Sequence, residues 1–246
     1  MDLTAPVPPF LKATEPQQME MTRILAEKIS KMSRSQLKKR MSLSDKLLTE
    51  TRENAALWGL NNRPQIPCVF AFTGLLYQHF DAYSLEADQL RDAQKKIRIL
   101  SGLYGLLRPL DRIEAYRLEM GHQLVVGKAK NIVTFWKETV TARLNKALKT
   151  GESILSVAAQ EYLKALDLKT LNSPVISPVF KEQRVDGSFK TVTVHSKKAR
   201  GALVRYALVN KAQTPRDLMD FDFMGWKATE EPPEAGPWLF TRPETK

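Results

Sequence analysis

The sequence predicts an α/β fold, a compact single domain in which helices cover a mixed β-sheet. Two patterns favour this class. Segments with apolar residues at helical spacing alternate with short apolar runs bounded by Pro or Gly, which are typical of buried strands. Hydrophobic residues form 43% of the 246 positions, enough to build a core. We expect one domain over residues 1–246, although the length alone also permits two.

Helical spacing dominates the first quarter of the chain. A Pro-rich, loose segment over residues 1–14 precedes apolar residues that recur at helical spacing over 21–29. Ser33 and Gln36 form a predicted capping box at the start of a second helix, and a third helix is predicted over 45–58.

The rest of the chain alternates between strands and helices. Pro67 and Gly74 bound a predicted buried strand over residues 68–72, and Ser84 is the predicted N-cap of the helix that follows. The sequence Asp186-Gly187 indicates a hairpin. The other predictions are a strand at 97–100, a helix at 132–148, a strand at 154–157, hairpin strands at 175–180 and 189–194, a helix at 200–211, a mobile loop at 229–237 and a strand at 238–241.

The formal net charge is +11, from 38 Lys and Arg against 27 Asp and Glu. Such an excess favours contact with polyanions, because binding releases their counterions, and nucleic acid is the polyanion that we expect. A solvated basic surface without a partner is the alternative. Two clusters hold many of the cations: Lys28, Lys31, Arg34, Lys38, Lys39, Arg40 and Lys46, and then Lys181, Arg184, Lys190, Lys197, Lys198, Arg200, Arg205, Lys211 and Arg216.

Composition also bears on the compartment. No apolar run approaches the roughly 20 residues that span a bilayer, and the first residues lack the pattern of a secretion signal. The single cysteine, Cys68, leaves no internal disulfide and lies in an apolar run. We therefore expect a protein of a reducing compartment, neither secreted nor bound to a membrane.

The stretch ILSGLYGLLRPLDRIEAYRLEMG, over residues 99–121, is the most distinctive. Gly102 and Gly105 allow a tight turn with exposed amides next to Arg108, and such a turn can hold a phosphate. The turn also resembles the hairpin of helix-hairpin-helix DNA-binding modules. A turn that merely joins a strand to a helix is the alternative.

A second basic motif, KKARG, follows the predicted hairpin. Lys197, Lys198 and Arg200 are predicted to open a helix. Cations at the positive end of the helix macrodipole destabilise it unless an anion binds there, which favours phosphate contact over a solvated helix start. Arg205, further along the same helix, is another predicted phosphate contact.

A dedicated catalytic centre is not predicted. Ser101 lacks a nucleophile-elbow motif, and His79, His122 and His195 are scattered without metal-ligand spacing. We therefore predict no catalytic residue, no cofactor and no metal site. Two alternatives stay open: an enzyme acting on a nucleotide or nucleic-acid base in a pocket near Ser101 and Tyr116, and a protein that sequesters iron through carboxylates and a histidine.

Five strings resemble the YaaA family of peroxide stress proteins: SGLYGLLRPLD, YRLEMG, FW at 135–136, PVF at 178–180 and KKARG at 197–201. Their order and spacing match across nearly the whole chain. The resemblance implies a cytoplasmic protein with a compact α/β fold, a basic cleft, a helix-hairpin-helix-like element and double-stranded DNA binding. It also implies a link to lowering free intracellular iron during hydrogen peroxide stress, which protects DNA from oxidative damage.

One part of the family pattern is not present. Its members usually open with an apolar strand and a Ser-Pro-Ala-Lys-Thr string, and Met1-Asp2-Leu3 here resembles the residues that follow that string. We expect either a start further upstream or a protein without this strand and lysine.

Taken together, the motifs predict a binder of double-stranded DNA. The predicted nucleic-acid contacts are Gly102, Tyr104, Gly105, Arg108, Arg117, Lys197, Lys198, Arg200 and Arg205.

Overall fold

The computed structural model of the protein describes residues 1–60 and 62–244. Unit 1 comprises Met1–Phe72, Gln94–Ala147 and Ala158–Leu171, and unit 2 comprises Thr73–Ala93, Leu148–Val157 and Asn172–Lys246. Both compact units combine helices with strands, which confirms the predicted α/β class; the single domain stays a prediction. Within the described ranges, no helix has both the length and the apolar character needed to cross a bilayer.

The described α-helices are α1 (Met19–Ser30), α2 (Arg34–Met41), α3 (Asp45–Leu57), α4 (Cys68–Ala71), α5 (Leu75–Phe80), α6 (Ala87–Lys96), α7 (Ile132–Ala147), α8 (Gln160–Leu163) and α9 (Thr193–Val209). The described strands are β1 (Ile66–Pro67), β2 (Ile99–Ser101), β3 (Gly105–Leu107), β4 (Arg112–Ile113), β5 (Ile154–Leu155), β6 (Val175–Gln183), β7 (Phe189–Lys190), β8 (Lys227–Ala228) and β9 (Gly236–Pro243).

Unit 1 begins with three helices whose apolar sides are buried. Leu25 and Ile29 of α1 and Leu48 of α3 are in the core, and α1 packs against α3. The predicted capping box of α2 is confirmed. The Ser33 hydroxyl accepts from the Gln36 amide, while the Gln36 side chain accepts from the Ser33 amide.

The predicted strand over residues 68–72 is wrong, because most of this run forms the helical turn α4. The amides of Cys68 and Val69 donate to the carbonyl oxygens of Asp111 and Pro109, at 2.9 and 3.1 Å. The run is therefore held by a loop, and only β1 just before it pairs with a strand, β4. A short apolar run does not by itself distinguish a buried strand from a buried helical turn.

Cys68 lies at the start of α4 and is fully buried. Its Sγ donates to the carbonyl oxygen of Arg108 at 3.2 Å. Burial, helped by the nearby Asp111 carboxylate, raises the pKa of this thiol well above its ordinary value. The thiol is therefore protonated at neutral pH.

Two helices begin elsewhere than predicted. Helix α6 begins at Ala87, and Ser84 instead lies in a 3-10 turn, where its hydroxyl donates to the carbonyl oxygen of Asp81 at 3.1 Å. Helix α9 begins at Thr193 rather than near residue 200. Its N-cap residue, Val192, offers no capping side chain, so the start carries no local sequence signal.

Unit 2 contains a mixed sheet, as predicted. The strand order is β5-β6-β9-β8, and β7 pairs with the end of β6. Strand β6 runs parallel to β5 and β9, whereas β7 and β8 run antiparallel to their neighbours. The pairing of β6 with β7 confirms the hairpin predicted from Asp186 and Gly187, where Gly187 has a φ of 80°.

Helix α9 packs against β6 and against α5. Gly201 allows the close approach of α5, because a Cβ at this position would lie 2.0 Å from the carbonyl oxygen of Leu76. The buried core of unit 2 consists of Ile176, Phe180, Ala199, Ala202, Leu203, Leu218, Phe221, Trp226, Trp238 and Phe240.

A buried ion pair joins β6 to β9. Glu182 is 1% exposed and Arg242 is 4% exposed. Arg242 donates from Nη2 and Nε to Oε1 of Glu182, at 2.7 and 3.1 Å, and its guanidinium lies over the Trp226 ring. Nδ1 of His195, in α9, lies 2.7 Å from the same carboxylate oxygen. Glu182 thus links two strands and a helix.

The charge on Glu182 makes this link depend on pH. Desolvation raises the pKa of Glu182, but the hydrogen bonds from Arg242 and His195 outweigh it and hold the pKa below its ordinary value. A carboxyl with a depressed folded pKa stabilises the fold fully above the unfolded value of about 4.3. That stabilisation is lost as the pH falls through the folded pKa.

We expect Glu182→Gln to lower the free energy of unfolding by about 3–5 kcal/mol at pH 7, because the buried guanidinium of Arg242 loses the negative charge of Glu182 that lies against it. Urea unfolding followed by circular dichroism measures the loss. The control is Glu231→Gln, which breaks the exposed pair with Arg216 and should cost less than about 1 kcal/mol. Equal effects of the two variants, or an unchanged loss of stability in acid for Glu182→Gln, would contradict this role.

Candidate nucleic-acid interface

The glycine turn joins the antiparallel strands β2 and β3 and is buried in unit 1. Because its flanks are strands, the predicted helix-hairpin-helix-like element is not found at this turn. Trp136 donates from Nε1 to the carbonyl oxygen of Gly102 at 2.8 Å, and the Leu106 amide donates to Oε1 of Gln18 at 2.8 Å. Gly105 has a φ of 71°, the left-handed conformation that short hairpins require.

Tyr104 is held inside the same unit. Its hydroxyl oxygen accepts from Nε1 of Trp58 at 2.9 Å and from the amide of Glu114 at 3.0 Å. Burial raises the pKa of Tyr104 to about 12. The turn therefore has its three predicted contacts packed against other residues of unit 1: Gly102, Tyr104 and Gly105. This arrangement argues against their touching a phosphate.

Ser101, which is buried, and Tyr116, which is half-buried, are hydrogen-bond partners. Their hydroxyl oxygens lie 2.7 Å apart, and Ser101 Oγ accepts from the Tyr104 amide at 3.0 Å. Burial raises the pKa of Tyr116 far above its usual range. The cavity that Tyr116 and Arg117 line has a volume of ≈ 10 Å³. This is room for one water molecule rather than for a nucleotide.

Two predicted phosphate contacts bind protein acceptors instead. Arg108 pairs with the fully buried Asp111 at 2.8 Å and donates to the carbonyl oxygen of Glu15. Arg205 donates to the carbonyl oxygens of Phe80 and Asp81, at 3.1 and 2.8 Å, and so caps the C-terminal end of α5. Both guanidinium groups hold loops in place within their own units.

Arg117 is only partly engaged. Its Nη2 lies 3.3 Å from Oε1 of Glu119, and both side chains are substantially exposed. Its Nε is buried and has no hydrogen-bond partner among the described residues. Nearby, His122 accepts a hydrogen bond from the Glu119 amide, and burial lowers the pKa of His122.

The KKARG cations lie on the second turn of α9, not at its start. Lys197 is exposed and Lys198 is half-buried. No described acidic side chain lies within ion-pair distance of either lysine. Nε of Arg200 is buried without a partner in the described part of the chain, and desolvation lowers the pKa of this guanidinium. The macrodipole argument weakens here, because the dipole acts mainly within the first turn.

The first basic cluster includes helix α2, and all the cations of this helix are exposed. Helix α2 has the sequence RSQLKKRM, in which Leu37 and Met41 are buried and every cation is exposed. A three-residue turn, in which Ser42 is left-handed with a φ of 49°, connects α2 to α3. Helices α2 and α3 pack against each other. The four cations of α2 are Arg34, Lys38, Lys39 and Arg40.

Asp45, at the start of α3, binds two of these cations. Arg34 Nη2 and Lys38 Nζ lie 3.2 and 3.3 Å from Oδ1 of Asp45. The hydrogen bonds from Arg34 and Lys38 lower the pKa of this carboxyl. In the described ranges, Lys39 and Arg40 have no acidic partner within ion-pair distance. The sequence identifies this cluster by charge and predicts both helices, but it does not predict that α2 packs against α3, and the cluster is not among the predicted contacts.

No group of three or more His, Cys, Asp or Glu side chains in the described ranges lies in an arrangement that could hold a metal ion.

Because the glycine turn is closely packed, we predict that Gly105→Ala strongly destabilises the protein. A Cβ there would lie 2.5 Å from Oε1 of Gln18 and 2.7 Å from the Trp136 ring, in a left-handed backbone. We expect a loss of about 2–5 kcal/mol in the free energy of unfolding, measured in urea. The matched control is Gly127→Ala, also left-handed but with nothing within 4 Å, which should lose about 1–2 kcal/mol. Equal losses would show that packing at the turn is unimportant.

Comparison with known proteins places the chain in a family. The family model described as "Peroxide stress protein YaaA" matches residues 1–232. A UPF0246 protein of Flavobacterium johnsoniae is 41% identical over 236 residues, covering 95% of this chain and 93% of the relative. UPF0246 proteins of Marinomonas sp. and Hahella chejuensis are 37% and 38% identical, covering 100% and 98% of this chain and 94% and 95% of those relatives. The chain therefore belongs to the YaaA family of peroxide stress proteins.

Proposed function

We propose that this protein binds double-stranded DNA through the exposed cations of α2, with little dependence on base sequence. The observation that carries the proposal is the composition of α2. All four of its charged residues are cations, each is exposed, and its apolar residues point into unit 1. Exposed cations on one short helix repel each other unless anions lie nearby. The surface of α2 is therefore suited to binding a row of phosphates.

The contacts available on α2 and α9 are contacts to phosphate rather than to bases. Lys39 and Arg40 lack described acidic partners, and Lys197 is exposed on α9. Ammonium and guanidinium groups that meet backbone oxygens fix the position of a protein on DNA without reading its sequence. Binding should therefore be electrostatic and should weaken as salt rises.

Family membership supports a role in peroxide stress. Members are described as peroxide stress proteins, and DNA is damaged when peroxide reacts with free iron. We infer a cytoplasmic protein that occupies DNA during this stress and contributes to lowering the free iron. The described residues supply no metal-ligand cluster, so the proposed effect on iron would act through another component.

We expect the double variant Lys39→Ala, Arg40→Ala to bind duplex DNA more weakly. The slope of log affinity against log salt should fall in magnitude by about 2, because each lost phosphate contact removes about one unit. Fluorescence anisotropy with two unrelated duplexes of equal length, at several salt concentrations, gives both quantities. Wild-type affinity should be similar for the two duplexes.

The matched control is Lys146→Ala, Lys169→Ala, which removes the same charge from other exposed positions of unit 1. We expect this control to keep the wild-type slope within error. Equal losses in both double variants would indicate an effect of net charge rather than of α2. Binding by the wild-type protein that fails to weaken with salt would refute the phosphate contacts.

A change at Asp45 should strengthen DNA binding, whereas the change at Lys39 and Arg40 should weaken it. Asp45→Asn removes the carboxylate that pairs with Arg34 and Lys38, so we expect tighter DNA binding and a steeper salt slope. Asp88→Asn is the control, because it makes the same charge change at the exposed pair with Arg91 in unit 2. If both variants bind alike, or if Asp45→Asn binds more weakly while still folded, α2 is not the contact surface.

A further inference from the structure

The hairpin formed by β6 and β7 carries exposed apolar side chains at its tip. Val185 is 104% exposed, that is, fully open to solvent, and Phe189 is 47% exposed. Val194, on the first turn of α9, is 49% exposed. Valine and phenylalanine normally gain free energy by burial, so a fully exposed valine on the same hairpin as a half-exposed phenylalanine is suited to being covered in a complex.

The tip is held in one shape by its own hydrogen bonds. The Arg184 amide donates to the carbonyl oxygen of Ser188 at 2.8 Å, and the Gly187 amide donates to that of Arg184 at 2.9 Å. The Asp186 carboxylate accepts from the Ser188 amide at 2.9 Å. The tip follows the last residues of β6 that are paired with β9. It is therefore a preformed projection, and ordering it on binding costs little.

The charges around the tip indicate the partner. Residues 181–198, KEQRVDGSFKTVTVHSKK, contain five Lys or Arg and two acidic residues. One of those acids, Glu182, is buried against Arg242, so Asp186 is the acidic side chain of this segment that faces solvent. Lys190 pairs with Glu244, whereas Arg184, next to Val185, is exposed. An apolar tip in a segment rich in cations is suited to a duplex, whose phosphates lie on either side of a stacked, apolar base step.

We propose that this hairpin is a DNA wedge: Val185 and Phe189 enter the minor groove and partly unstack a base step, while Arg184 and Lys197 contact the flanking phosphates. The inference rests on the proposed DNA binding and adds its mode. Proteins that insert apolar side chains in this way kink or unwind the duplex, and they prefer base steps that unstack easily. The hairpin would thus give a mainly electrostatic binder a preference for deformable DNA.

The test uses the full chain and a duplex with 2-aminopurine at a central TA step. Binding of the wild-type protein should raise the 2-aminopurine fluorescence, because this base brightens when it unstacks. The variant Val185→Ser, Phe189→Ser should still bind with the wild-type salt slope but lose the rise. The control Val209→Ser alters an exposed valine at the far end of α9 and should keep the full rise.

The outcomes separate the two proposals. If anisotropy detects no binding by the wild-type protein, the proposed function fails. If the wild-type protein binds but the fluorescence does not rise, or if the hairpin variant keeps the rise, the wedge is overturned while DNA binding stands. If the hairpin variant alters the salt slope as strongly as Arg184→Ala, the tip acts only through charge, and the wedge is again overturned.

Discussion

The buried carboxylate of Glu182 is the constraint on which unit 2 depends. It accepts from Arg242 on β9 and lies beside His195 on α9, so three elements meet at one charge. The exposed hairpin begins just after Glu182, and Lys197 and Lys198 follow His195 along α9. The buried ion pair of Glu182 and Arg242 therefore fixes the positions of the exposed cations on the hairpin and on α9 that could contact a phosphate.

Local signals in the sequence were sufficient for much of the fold. The spacing of apolar residues located α1, α3 and α7, Ser33 and Gln36 located α2, and Asp186-Gly187 located the hairpin. The errors arise where local signals are ambiguous or absent. An apolar run such as CVFAF suits either a strand or a helical turn, and α9 begins without a capping side chain. Contacts distant in sequence decide such cases.

The candidate site was harder to predict, because residue type does not reveal burial. Gly102 and Gly105 suggested an open phosphate turn, yet Leu118, Trp136 and Gln18 leave no room for a side chain at either position. Arg108 and Arg205 suggested phosphate contacts, yet each meets carbonyl oxygens from remote parts of the chain. The charge of α2 was visible from composition, whereas its packing beside α3 was not.

Cys68 also constrains how a protein of this family can take part in peroxide stress. Oxidants attack the thiolate, and this thiol is both enclosed and held in its protonated form. The lone sulfhydryl of the chain is thus shielded from the chemistry that converts redox sensors between their two forms.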